Sequence, residues 1–227
     1  MNFIKLALYN LKYQKERFMK KIILPFILFF LAGAAIVNAQ SSLRFGPTVG
    51  LNFANIGGKD ATGNLSTKTG LYIGGFMTYQ FSDMFALEPQ VVYSMKGATS
   101  SQGGVNSTIS LNYIDIPVFL KLYIPLAGNS NIKPEIYAGP SFGFNVAASI
   151  EQTANGQTNT ADASSQVKGF DMGLGFGGGI AFGVGSGLLD FSVRYSLGLT
   201  SADNSGNNLT LTNNVFSIVA GYAFSTH

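Results

Sequence analysis

Residues 113–123 alternate with a period of two. Ile114, Ile116, Val118, Leu120 and Leu122 occupy one phase, and Tyr113, Asp115, Pro117, Phe119, Lys121 and Tyr123 occupy the other. Successive side chains of a strand point to opposite faces, so the stretch is a β-strand with one aliphatic face and one face of mixed aromatic and charged groups. Two folds accept such a strand. In a soluble sandwich or barrel the aliphatic face is the core; in a membrane barrel it faces lipid and the mixed face lines a narrow interior.

Seven further segments repeat the alternation, at 43–53, 68–81, 85–96, 132–146, 169–184, 189–199 and 215–224. In the first, Leu43, Phe45, Pro47, Val49, Leu51 and Phe53 oppose Arg44, Gly46, Thr48, Gly50 and Asn52. The segment at 169–184 is the extreme, with Phe170, Met172, Leu174, Phe176, Ile180 and Phe182 set against Asp171, Gly173, Gly175, Gly177, Gly179 and Gly183. The connections alternate in kind. Long polar stretches at 55–67, 97–108, 150–166 and 201–212 follow the odd-numbered segments, and short links at 82–83, 125–131 and 185–187 follow the even ones. An even number of strands with long loops at one end and short turns at the other is the pattern of outer-membrane barrels.

The small and charged face also excludes a soluble barrel. With 28 glycines and 11% charged residues, it offers too little polar surface for a solvated exterior. It suits the lumen of an eight-stranded barrel, which has room only for its own side chains. The expected fold is therefore all-β: an eight-stranded antiparallel up-and-down transmembrane barrel spanning 40–227. Five prolines fall inside the segments (Pro47, Pro89, Pro117, Pro134 and Pro140), each removing a ladder donor, so bulges or strand ends are expected there.

Ahead of the barrel, Met19-Lys20-Lys21 is followed by an apolar run to Val37, and Val37-Asn38-Ala39 places small or short side chains before Gln40. This is the form of a secretory signal, with cleavage expected after Ala39. The run is shorter than the roughly 20 residues that span a bilayer as a helix. Residues 1–18 lie upstream of a complete signal and are read as a start-site extension. Six of the 14 basic and one of the 11 acidic residues precede Gln40, so the rest of the chain carries eight basic and ten acidic residues, a net charge of −2. Without a basic footprint there, nucleic acid is excluded as a partner; outer-membrane lipid is the expected one.

No cysteine is present, and the single histidine is His227 at the end of the sequence. The histidine-dependent constellations of hydrolases and acyltransferases are thus missing, and no catalytic, cofactor-binding or metal site is expected. Gly173-Leu174-Gly175-Phe176-Gly177-Gly178 satisfies G-x-G-x-x-G. It lies within a strand rather than between a strand and a helix, so its glycines make lumen space. Glu88, Asp115, Glu135, Asp171 and Asp190 share the inward phase with Lys96, Lys121, Lys133 and Arg194. Enclosed charges are costly unless paired. The expectation is a structural plug in which Lys121 bridges Glu88 and Glu135 near the periplasmic end, with Asp190 and Arg194 joining across the lumen.

Tyr113-Ile114-Asp115-Ile116-Pro117-Val118 with Lys121, followed by Pro134-Glu135-Ile136-Tyr137-Ala138-Gly139-Pro140-Ser141, resembles the PorT-like outer-membrane β-barrel family of Bacteroidetes. The motif positions are Tyr113, Asp115, Pro117, Lys121, Gly139 and Pro140. Asn38-Ala39-Gln40 is similar to the leader ends of exported proteins of that group. The resemblance implies a porin-like fold without implying an activity. The association of the founding member with a secretion and gliding apparatus attaches to no residue of this motif. Together these readings describe a non-enzymatic outer-membrane barrel that presents its outer loops or anchors a partner through them. The alternatives are passage of a small or apolar solute and an accessory part in a secretion apparatus.

Overall fold

The computed structural model describes residues 42–61, 65–126 and 131–225; the expected extension at 1–18 and signal at 19–39 lie outside them. The strands are β1 (Ser42–Gly57), β2 (Leu65–Gln80), β3 (Phe85–Gln102), β4 (Val105–Tyr123), β5 (Ile132–Ala154), β6 (Gln157–Asp162), β7 (Phe170–Val184), β8 (Gly187–Gly198) and β9 (Thr212–Ser225). Every pairing is antiparallel. The ladder runs β4-β3-β2-β1-β9-β8-β7-β5, and β4 pairs with β5 to close a ring of eight strands. A closed ring removes the edges that an open sheet exposes. β6 stands outside it and, among the described residues, pairs only with β5.

The period of two assigns the faces. Phe45, Val49 and Leu51 of β1, Ile136 of β5, Phe191 of β8 and Ile218 of β9 are each about half exposed on the outside, whereas Glu88, Lys121, Glu135 and Arg194 are 5% exposed or less. Apolar outside and charged inside is an arrangement for lipid, because a soluble protein buries the first kind and solvates the second. Aromatic pairs collect toward both ends of the outer band. Phe45 and Phe224 lie 6.3 Å apart near the short-turn end, and Phe53 and Phe216 lie 6.2 Å apart toward the other. Such girdles sit at the two membrane–water boundaries of a barrel. The short-turn end, where β1 begins and β9 finishes, is periplasmic by the same rule.

Two of the stretches read as loops are mainly strand. β3 and β4 continue through 97–108 to a two-residue turn at Gly103-Gly104, with φ of +59° and +79°. β5 runs on through 150–154 and returns as β6 after Asn155-Gly156, with φ of +51° and +77°. Positive φ at both central residues gives the turn a twist that matches its flanking strands, so the ladders extend to the tip. The result is a wall in the order β3-β4-β5-β6 rising from the outer rim. The first loop shrinks to the residues between β1 and β2, and only the fourth keeps most of its expected length.

Pro134 lies third in β5, near a strand end as expected, whereas Pro47, Pro117 and Pro140 interrupt pairing without a bulge. Pairing of β1 with β9 lapses at Gly46 and Pro47 and resumes in the same register. The β4–β5 ladder lapses likewise between Pro117 and Leu120, opposite Gly139 and Pro140. One missing donor interrupts a ladder without shifting it. The register shifts lie elsewhere, between Thr67 and Tyr72 in the β2–β3 pair and between Asn112 and Tyr113 in the β4–β5 pair.

Candidate functional site in the lumen

Three layers of inward side chains fill the barrel. In the lowest, Lys121 leaves β4 with Ala86 of β3 directly opposite, while Glu88 and Glu135 stand two residues away along the neighbouring ladders. Diagonal neighbours at this offset are within reach of long side chains. Lys121 Nζ lies 2.9 Å from Glu88 Oε2, 2.8 Å from Glu135 Oε1 and 3.7 Å from Asp190 Oδ2 across the lumen. Thr78 Oγ1 donates to Glu88 Oε2 at 2.7 Å, and Gln90 Nε2 donates to Glu88 Oε1 at 2.9 Å. Glu135 Oε2 accepts no hydrogen bond from a described residue. One ammonium thus faces three carboxylates, with Arg44 lining the same small cavity from below.

The middle layer is aromatic. Tyr72, Phe119 and Tyr137 surround Arg194, whose Cζ lies 5.0, 4.9 and 5.5 Å from their ring centroids. Cations held against ring faces in this way are attracted by the ring quadrupole. Arg194 Nη1 donates to Tyr72 Oη at 2.7 Å and to Gln90 Oε1 at 3.2 Å. Asp190 approaches Lys121 directly, whereas Arg194 reaches the Lys121 cluster through Gln90, which donates to Glu88, and through the Tyr137 ring, whose centroid lies 5.5 Å from Lys121 Nζ. Glycines make room for the rings. A Cβ on Gly175 would stand 2.8 Å from Phe119 Cε1, and one on Gly177 would stand 2.8 Å from Tyr137 Oη.

In the upper layer Lys96 Nζ lies 3.0 Å from Asp115 Oδ2 and 3.9 Å from Asp171 Oδ2, and 4.6 Å from the Tyr113 ring centroid. Thr200 Oγ1 and Asn213 Nδ2 donate to Asp171 at 2.8 and 2.9 Å. Asn52, fully buried, donates to Ser94 Oγ at 3.0 Å and accepts from Ser217 Oγ at 2.8 Å, tying β1, β3 and β9 together. Lys133 stays apart, half-buried, with Nζ 5.9 Å from the Tyr123 ring centroid.

The space left over is small. A cavity of about 30 Å³ remains beside Arg194 and Lys96, and one of about 10 Å³ beside Lys121. A single water needs roughly 10–15 Å³ by such a measure, so each of these two cavities has room for isolated waters only. Among the described residues no group of three or more acidic or histidine side chains stands in a metal-holding arrangement; the carboxylates gather on Lys121 and Lys96. The residues 113–123 and 134–141 singled out in the sequence form the β4–β5 seam. They supply Tyr113 and Asp115 to the upper layer and Lys121 to the lowest, while a side chain at Gly139 would collide with the Val118 carbonyl. In the sequence Asn52 shows only as a member of the small and polar phase of its segment, and Tyr72 and Gln90 take their roles from the fold. Their phase was visible, but their partners across the lumen depend on how far the strands are staggered.

Residues 38–204 match the family described as "Outer membrane protein beta-barrel domain". None of the curated proteins matches the sequence. Among solved structures, Neisserial surface protein A (NspA) aligns with a TM-score of 0.49 at 14% identity, over 80% of this chain and 97% of that one. Ail, the attachment invasion locus protein of Yersinia pestis, aligns with a TM-score of 0.40 at 12% identity, over 80% and 98%. OprG of Pseudomonas aeruginosa aligns with a TM-score of 0.39 at 13% identity, over 82% and 95%.

Proposed function

The chain belongs to the outer membrane protein β-barrel domain family and resides in the bacterial outer membrane, and from that premise we propose that it is a plugged, non-enzymatic barrel that works through its outer surface. The observation that carries this reading is the wall above the rim. β3, β4, β5 and β6 extend one sheet outward, and among the described residues β6 pairs on one side only. All six residues of β6 are exposed, and its open edge offers backbone donors and acceptors to an extended segment of a partner protein. The filled lumen supports the same reading, because it leaves the loops as the accessible part of the molecule and weighs against passage of a solute. We further propose a PorT-like member from Bacteroidetes, on the motif in β4 and β5, exported by the signal at 19–39. An accessory part in a secretion apparatus is one form that partner binding takes.

Crosslinking and affinity capture from native outer membrane test the proposal. Wild-type protein should retain a partner that is lost when the β5–β6 hairpin is replaced by a short turn and kept when the first loop is altered. Equal capture by all of these folded variants would overturn a role for the wall.

A further inference from the structure

Above the upper charge layer the character of the lumen reverses. On one side the inward positions there are aliphatic, Ile56 of β1, Ile109 and Leu111 of β4, and Ile150 of β5, with the buried Lys68 of β2 outside this group. They enclose a cavity of about 140 Å³, roofed by the chain around Val167 and Ala202 and floored by Asn213. The roof is built: Lys168 N donates to Ala202 O at 2.8 Å, Asn204 N donates to Gln166 O at 2.8 Å, and Val167 bridges Asp203.

A local irregularity creates the pocket. β5 carries one extra residue where pairing passes from Asn112↔Ala147 to Tyr113↔Asn145. Continued in phase, the strand would turn Ala147 and Ser149 inward; after the shift Ala148 is buried, Ala147 is exposed, and Ile150 lines the cavity. A one-residue shift exchanges the two faces of a strand, and bulges re-aim side chains in this way beside binding sites. Two of the polar side chains on the rim are already engaged. Asn213 Nδ2 donates to Asp171, and the Asp203 carboxylate accepts from the Ser205 and Leu209 amides.

We propose that this outer vestibule binds a small, uncharged, apolar molecule of the size of a monocyclic hydrocarbon. An apolar cavity of about 150 Å³ accommodates benzene, and the volume here is close to that. With a mainly aliphatic lining, and with Asn213 and Asp203 engaged by neighbours, the site favours an apolar ligand over a sugar or an ion. The Lys96 layer beneath it stops the ligand, so the vestibule captures without conducting. The site shares Ile109 and Ile150 with the base of the wall but needs no partner on β6.

The test is titration of benzene into isoleucine-methyl-labelled protein in lipid nanodiscs, followed by NMR. The methyls of Ile56, Ile109 and Ile150 should shift saturably, while the outward Ile73, Ile136, Ile180 and Ile218 should shift only in proportion to benzene in the lipid. Ala163→Leu and Ala202→Leu, made separately and checked for folding by heat-modifiable migration, each add bulk to the cavity and should weaken the saturable response by about tenfold or more. Linear shifts at every isoleucine of the wild type would overturn the site, as would a saturable response unchanged in a folded filled variant.

Discussion

Lys121 holds the lower plug because it is the one cation within 4 Å of Glu88, Glu135 and Asp190 among the described residues. Removing one partner of a buried ion pair typically costs about 3–5 kcal/mol, since the charge left behind is uncompensated. Lys121→Met should accordingly lower stability by about that amount in denaturant unfolding of the detergent-solubilised barrel. Glu88→Gln with Glu135→Gln in the same background should recover part of the loss. A neutral Lys121→Met would remove the plug role and leave the carboxylates to be explained by function. This cluster was legible in the sequence because period and meander place all three strands, and the inward phase follows by counting from Lys121. Arg194 was legible as an inward residue only. Its contacts with Tyr72 and Gln90 cross the lumen, and no period within a strand encodes that distance.

At the scale of elements, composition misled where turn chemistry did not. The Asn, Ser, Thr and Gln of 97–108 and 150–166 resemble loop composition, yet Asn155-Gly156 is a strong hairpin signal and Gly103-Gly104 another. Polar strands form there because no core selects aliphatic side chains beyond the membrane. The fourth loop, by contrast, is held by side-chain caps. Hydrogen bonding from Ser205, its hydroxyl foremost, holds the Asp203 carboxyl below the usual aspartate range against the opposing effect of desolvation, with the Ser205 and Leu209 amides and the charge of Lys168 assisting. A group whose folded value is depressed stabilises above its unfolded value and loses that contribution as pH falls through the folded one. The loop should therefore keep its conformation above pH 3.8, the ordinary aspartate value, and lose the Asp203 contacts only below it. The amide resonances of Ser205 and Leu209 should move together in an acid titration, and Asp203→Asn should abolish that step. Static amides, or a step midpoint above the ordinary value, would contradict the capping role.

Taken whole, the molecule turns its hydrophobic faces to lipid and closes its interior with three stacked layers, two charged and one aromatic. Closure followed from eight two-faced segments with alternating connections; the sealing of the lumen rests on fits such as Phe119 against Gly175, which only the folded barrel displays. An eight-stranded barrel has just enough interior for side chains, and the largest cavity described below the outer vestibule is about 30 Å³. The measurement that tests the account most directly is single-channel recording of the folded protein in planar bilayers. The filled lumen predicts silence at all voltages that the bilayer withstands, in wild type and in variants with shortened outer hairpins alike. Steady conductance of porin size from the folded wild-type barrel would contradict it.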